Sequence, residues 1–143
     1  NILDINLLAP YYLSSSVVQF MKENGGSIIN ITSIGSKLGF PYNPAYISSK
    51  AGLSGLTRSL AYDYARFGIR VNNLVPGYFK TDMTKESYSN PLKNTERANR
   101  SLMGRWGSPK ELIGPAIFLA SNASSFITGT DLIVDGGWSI KGL

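Results

Sequence analysis

The chain has 143 residues, 43% hydrophobic and 16% charged, with a formal net charge of +5; that balance fits one globular unit. It contains no cysteine and no histidine, which excludes disulfides, thiolate metal sites and imidazole acid/base chemistry. No run of about 18 apolar residues is long enough to span a membrane, Asn1–Asp4 is not the basic opening of a signal peptide, and the scattered positive residues come with no zinc-finger, basic-zipper or RNA-binding signature.

The expectation is therefore a cytoplasmic protein with no membrane, nucleic-acid or metal partner. Apolar residues at Leu3, Leu7, Leu8, Tyr11, Val18 and Met21 recur at helical spacing. Pro10 lies inside that pattern and should distort the helix; Asn24-Gly25-Gly26 ends it. Ser27–Thr32 is a short β-branched run, hence a strand, and residues 33–44 form a loop rich in Gly, Pro and Ser. A second helix runs from Pro44 to Phe67 and stops at Gly68, and residues 69–75 form a second strand broken by Pro76-Gly77. Residues 78–105 are polar and irregular, with short helices and little apolar material to order them. Ser108 as N-cap, Pro109 at the first position and Glu111 at the third open a helix to residue 121. Asp131–Gly137 is a third strand.

Helix and strand alternate, which predicts an α/β unit with a parallel sheet covered on both faces. A dinucleotide fold opens with a strand, a glycine-rich turn and a helix that seat the pyrophosphate. No such turn occurs near the start, and the first of three strands would keep an unpaired edge. The expectation is that residues 1–143 form the C-terminal part of a single longer domain.

Tyr46, Lys50, Leu53, Thr57, Leu60 and Tyr64 share one face of the second helix. Most of that face is suited to packing on a sheet, yet its start carries a phenol and an ammonium one turn apart. A neighbouring cation favours phenolate, so the pair reads as a general acid/base without histidine. The plainer alternative is a packed aromatic beside a lysine that snorkels to water. Ser33 ends the first strand and Pro76-Gly77 ends the second, and ligands of open parallel sheets bind at the carboxyl ends of strands. A serine there can bind a substrate oxygen, and a Pro-Gly turn can offer N–H groups to a planar amide. Each is also an ordinary strand-ending turn.

With these motifs in order, the sequence resembles the short-chain dehydrogenase/reductases in their compact single-domain branch. Asp4–Leu7 is similar to the segment carrying that family's catalytic asparagine, here Asn6. Gly26–Ser33 resembles the strand ending in the catalytic serine, Ser33. Tyr46–Lys50 resembles its Y-x-x-x-K, Val71–Thr81 its N-x-(V/I)-x-P-G-x-x-x-T segment, and Gly129–Gly137 its closing strand. One departure is Phe79, where the family usually has Val or Ile.

The resemblance implies the C-terminal part of a Rossmann-like doubly wound parallel sheet, three strands with flanking helices. It also implies an NAD- or NADP-dependent oxidoreductase that interconverts a ketone and a secondary alcohol. Tyr46 would exchange the proton with the carbonyl oxygen. Lys50 would hold the nicotinamide ribose and tune Tyr46, Ser33 would bind the substrate oxygen, and Asn6 would anchor a water that carries protons from Lys50. Pro76, Gly77, Phe79 and Thr81 would meet the nicotinamide. Residues 82–105 would form a lid, and the protein would be a homo-oligomer, tetramer or dimer. A non-catalytic nucleotide-binding homologue, an oligomerisation fragment and the sugar-nucleotide epimerase branch are the alternatives. The strand that distinguishes NAD from NADP is not in the chain, and the lid's mild positive excess accommodates a sugar acid or an acyl thioester.

Overall fold

A computed structural model describes residues 2–142; Asn1 and Leu143 lie outside the described residues. Three parallel strands, β1 (Gly26–Ile31), β2 (Ile69–Pro76) and β3 (Asp131–Val134), lie in sequence order. Ile28 pairs with Val71, and Leu74 with Leu132. Helices α1 (Ala9–Met21) and α2 (Pro44–Tyr64) cover one face, and α5 (Ile113–Ala120) covers the other. Between β2 and α5 come two short helices, α3 (Lys85–Ser89) and α4 (Pro91–Arg100). The predicted α/β architecture is present, with β1 one residue earlier than expected and β3 three residues shorter.

The shorter β3 has a local cause. Gly136 and Gly137 both adopt positive φ, 63° and 78°, which ends a strand. The Asp135 carboxylate accepts from the Gly137 and Ser139 amides at 2.8 Å and turns the chain into a 3-10 segment, Trp138–Ile140.

Pro10 distorts the first helix as its chemistry requires. It has no N–H to give the Asn6 carbonyl four residues back, and the chain answers with a π segment at Asp4–Leu8 in which the Ala9 N–H bonds the Asp4 carbonyl. Such bulges are frequent at functional positions. Pro115 acts similarly at the start of α5. It cannot serve the Glu111 carbonyl, so Pro109–Leu112 closes as a 3-10 turn before the α-helix begins.

The main core lies between α1, α2 and the sheet, where Val18, Leu60, Ala61, Ile69 and Val71 are buried with Ile28, Leu56 and Phe67 around them. Each fully buried aliphatic side chain contributes about 1.5–3 kcal/mol. A second cluster, Ile34, Val75 and Trp138 with Leu38, Phe40 and Tyr78, caps the carboxyl ends of the strands. The outer edge of β1 has no strand beside it among the described residues. A groove of about 540 Å³ opens there, its walls formed by Ile5, Asn6, Leu13, Ile29, Ile31 and Lys50 among others.

Candidate active site

α2 starts at Pro44, whose missing N–H costs nothing in a first turn. Tyr46 and Lys50 follow one turn apart, both half-buried. The Lys50 ammonium lies 5.9 Å from the Tyr46 ring centroid and donates to the Ile31 carbonyl at 2.9 Å. The helix that carries the phenol is thereby tied to the end of β1. Burial lowers the Lys50 pKa from its ordinary value, because desolvation penalises the ammonium.

Ser49, between them, is fully buried. Its hydroxyl donates to the Tyr46 carbonyl at 2.7 Å and accepts from the Asn6 amide at 3.1 Å. Asn6 is thus joined to the Tyr46 turn across 43 residues. Its own main-chain carbonyl is relieved of its helical partner by Pro10. Sequence reasoning named Asn6 but missed Ser49. No local signal marks that serine, because its partner comes from another helix.

Ser33 lies two residues beyond the end of β1 and caps the 3-10 turn Ile34–Ser36, its Oγ accepting from the Gly35 N–H at 3.1 Å. The loop then folds back on it. A Cβ added to Gly35 would stand 3.5 Å from Ser33 Oγ, 3.7 Å from the Phe40 ring and 2.8 Å from Ile47 Cδ1. A side chain there would displace the end of Ile47, so Gly35 sits closely among Ser33, Phe40 and the first turn of α2.

The Pro-Gly turn differs from expectation. Pro76 has no N–H, and the Gly77 N–H is used by the Val134 carbonyl at 2.9 Å. Gly77 is instead demanded by packing, since a Cβ would fall 2.6 Å from Asp135 Cβ. The main-chain donor that faces outward is Phe79. Its parallel bridge to Gly107 uses the Tyr78 carbonyl and the Lys80 N–H, which leaves the Phe79 N–H pointing away from Gly107. The Phe79 side chain is buried against Gly107, where a Cβ would meet the ring at 2.5 Å; this glycine accommodates the departure from Val or Ile. Thr81 is exposed, and its N–H bonds Thr84 Oγ1 at 3.0 Å.

Beneath α2 runs a polar row that the periodicity did not reveal. Asn30 donates to Thr57 at 2.8 Å, Thr57 to Asn73 at 2.7 Å, and Asn73 to Asp131 at 2.6 Å. Lys37 closes it with a 2.8 Å ion pair to Asp131. Burial raises the Asp131 carboxyl, but the Lys37 ammonium and the Asn73 amide outweigh it and the net pKa is lowered. Thr57 thus occupies the predicted apolar stripe as a hydrogen-bonding residue, satisfied as buried polar groups must be.

Asn6, Ser33, Tyr46 and Lys50 therefore surround the carboxyl end of β1, while Pro76 to Thr81 occupy the corresponding end of β2. A phenol, a hydroxyl and an ammonium thus stand at the carboxyl end of a parallel strand, the edge where open α/β sheets take their ligands. The chain belongs to the short-chain dehydrogenase/reductase family: the family profile described as enoyl-(acyl carrier protein) reductase matches residues 1–139. Among its relatives, 2-dehydro-3-deoxy-D-gluconate 5-dehydrogenase of Dickeya dadantii is 40% identical over 140 residues, covering 96% of this chain and 55% of that protein. The 5-keto-D-gluconate 5-reductase of Escherichia coli K12 is 41% identical over 138 residues, covering 96% and 54%. The crystal structure of a gluconate 5-dehydrogenase from Burkholderia cenocepacia J2315, in complex with NADP and tartrate, superposes with a TM-score of 0.93 at 38% identity, again covering 96% and 54%. The chain spans about half the length of the curated relatives it matches.

Proposed function

We propose that this chain is the C-terminal, carbonyl-activating part of an NAD(P)-dependent oxidoreductase that interconverts a ketone and a secondary alcohol on a polyhydroxy acid. The observation that carries the reading is the link from Asn6 through Ser49 to the Tyr46 turn, with Lys50 anchored on Ile31 beside it. The substrate class follows from the names of the relatives, which are dehydrogenases and reductases of keto- and hydroxygluconates.

Tyr46 gives its phenolic proton to the carbonyl oxygen in reduction and takes one back in oxidation. Ser33 donates a hydrogen bond to the same oxygen, where negative charge grows. Lys50 places its ammonium beside Tyr46, 5.9 Å from the ring centroid. The Asn6 main-chain carbonyl, which Pro10 cannot serve, anchors a water that passes protons between Lys50 and solvent. The residues present fit the nicotinamide end of a dinucleotide: Lys50 for the ribose, and the outward Phe79 N–H and the Thr81 hydroxyl for the amide, on the edge that Pro76 and Gly77 terminate. When bound, that cofactor supplies or receives the hydride. The groove along the open edge of β1 is the seat of the upstream part of the domain, whose strand would satisfy the free edge.

The test is steady-state kinetics of the full-length protein with NADH or NADPH and 5-keto-D-gluconate. Replacing Tyr46 by Phe should lower kcat at least about 100-fold, at the lower end of acid/base contributions. Cofactor affinity, read by fluorescence titration, should stay close to wild type. A Tyr46→Phe enzyme that turns over like the parent would sink the assignment.

A further inference from the structure

The segment joining Ser33 to Tyr46 contains a residue that folding does not explain. Tyr42 has φ of 62°, and it is the one non-glycine residue with positive φ among the described residues. A bulky side chain there is an outlier that stores strain. Its ring is also fully exposed, at 101% of the reference accessibility, so no packing offsets that strain. An aromatic ring left in water at a strained position serves something outside the folded chain.

The position narrows what that is. Phe40, two residues earlier, is folded inward against Trp138, with ring centroids 5.4 Å apart, and both it and Ser33 border Gly35. The Ile47 N–H bonds the Asn43 carbonyl at 3.1 Å, so the first turn of α2 begins immediately after Tyr42 and carries Tyr46. Pro41 and Pro44 flank the residue and stiffen the loop. The ring is thereby held out from a short, stiff stretch with Ser33 and Phe40 on one side and Tyr46 on the other.

We propose that Tyr42 is a specificity-determining residue. Its ring covers the substrate held between Ser33 and Tyr46, lying against the C–H face of a polyhydroxy keto acid. The proposal rests on the functional reading above. An aromatic face pairs well with the apolar C–H face of a polyol and leaves the hydroxyls free to hydrogen-bond. The strained backbone keeps the ring in place before the substrate arrives, so less ordering is paid on binding.

Strain and function then act with opposite signs. Tyr42→Gly, which adopts positive φ freely, and Tyr42→Asn, which tolerates it, should leave the thermal midpoint of the full-length protein unchanged or raised. Both should raise KM for 5-keto-D-gluconate about 5- to 30-fold, the scale of a lost aromatic contact of roughly 1–2 kcal/mol. The kcat should stay within about two-fold, because Tyr42 touches no group that moves a proton. Tyr42→Phe, which keeps the ring, should keep the wild-type KM. Unchanged KM in the Gly and Asn variants of an active enzyme overturns the proposal while leaving the oxidoreductase reading intact. So does a variant whose only change is weaker self-association by light scattering, since the ring would then serve assembly. Wild-type protein that turns over no keto acid or ketose with either cofactor overturns both.

Discussion

Lys50 is held where an ammonium is costly, half-buried and bonded to a neutral carbonyl. Its folded pKa lies below the unfolded value of 10.5, so between those two values the unfolded chain binds more protons and stability rises with pH. The cost of desolvating the charge is fully present at neutral pH and is relieved as pH climbs through the lowered pKa toward 10.5. Urea midpoints of wild type and Lys50→Met, measured without cofactor from pH 7 upward, should therefore diverge in favour of wild type as pH rises. A difference that stays flat would show that Lys50 is solvated. Tyr46 and Lys50 were legible in the sequence because both lie on one helix and their spacing alone sets their proximity. Ser49 was not, since its role depends on Asn6 reaching it from another helix.

Among the elements, the start of α5 shows how a local motif recruits a distant charge. The Glu111 carboxylate accepts from the Ser108 N–H at 2.7 Å, the capping pattern expected from Ser108 and Glu111. It also holds Arg105 through two bonds of 2.8 and 2.7 Å. The Arg105 guanidinium first, and then the Ser108 amide, bring the Glu111 pKa down to about 2. A depressed carboxyl contributes stability above its unfolded pKa and loses it as pH falls through the folded one. The advantage of wild type over Glu111→Gln should therefore be present at pH 7, shrink below the ordinary value of 4.5 and vanish below about 2. It should be small and weakened by salt, because the pair stands in water. Thermal midpoints across that pH range check it, and an advantage that persists below pH 2 would contradict it. The polar segment before α5 turned out to be better held than its composition indicated. Trp106 donates to the Asn94 carbonyl at 3.2 Å, Arg97 lies over the Tyr78 ring at 5.2 Å, and Arg100 over Trp138 at 4.6 Å. Counting aliphatic residues overlooked these, because a guanidinium stacked on an aromatic face packs as well as it solvates.

At the scale of the whole molecule, two apolar surfaces lie on opposite sides of the sheet. Tyr12 and Phe20 are exposed along α1, outside the groove at the β1 edge, with Phe20 at 76%; Ile113 and Ile117 are exposed on α5, and Phe126 follows nearby in sequence. On α2, by contrast, Ala61 is buried and Leu56 packs into the core. Surfaces of this kind can mark interfaces, and two of them on opposite faces would suit two isologous contacts, the expectation for a tetramer. Light scattering of the full-length protein should return four copies, and Phe20→Asp should reduce the assembly to dimers. A clean monomer at micromolar concentration would contradict this.

The sequence by itself determined the alternation of helix and strand, the stop at Gly68 and the cap at Ser108, the distortion at Pro10, and the pairing of Tyr46 with Lys50. These depend on neighbours within about a turn or a strand, where backbone geometry leaves few choices. Only the tertiary structure decided that Ser49 joins Asn6 to Tyr46, that Asn30, Thr57, Asn73 and Asp131 form one buried row, that Gly77 yields to Asp135 while Phe79 holds the outward amide, and that Tyr42 stands strained in solvent. Each of these is a contact, or a lack of contact, between segments far apart in the chain, and a polar side chain reads alike in sequence whether its partner is water or a residue forty positions away.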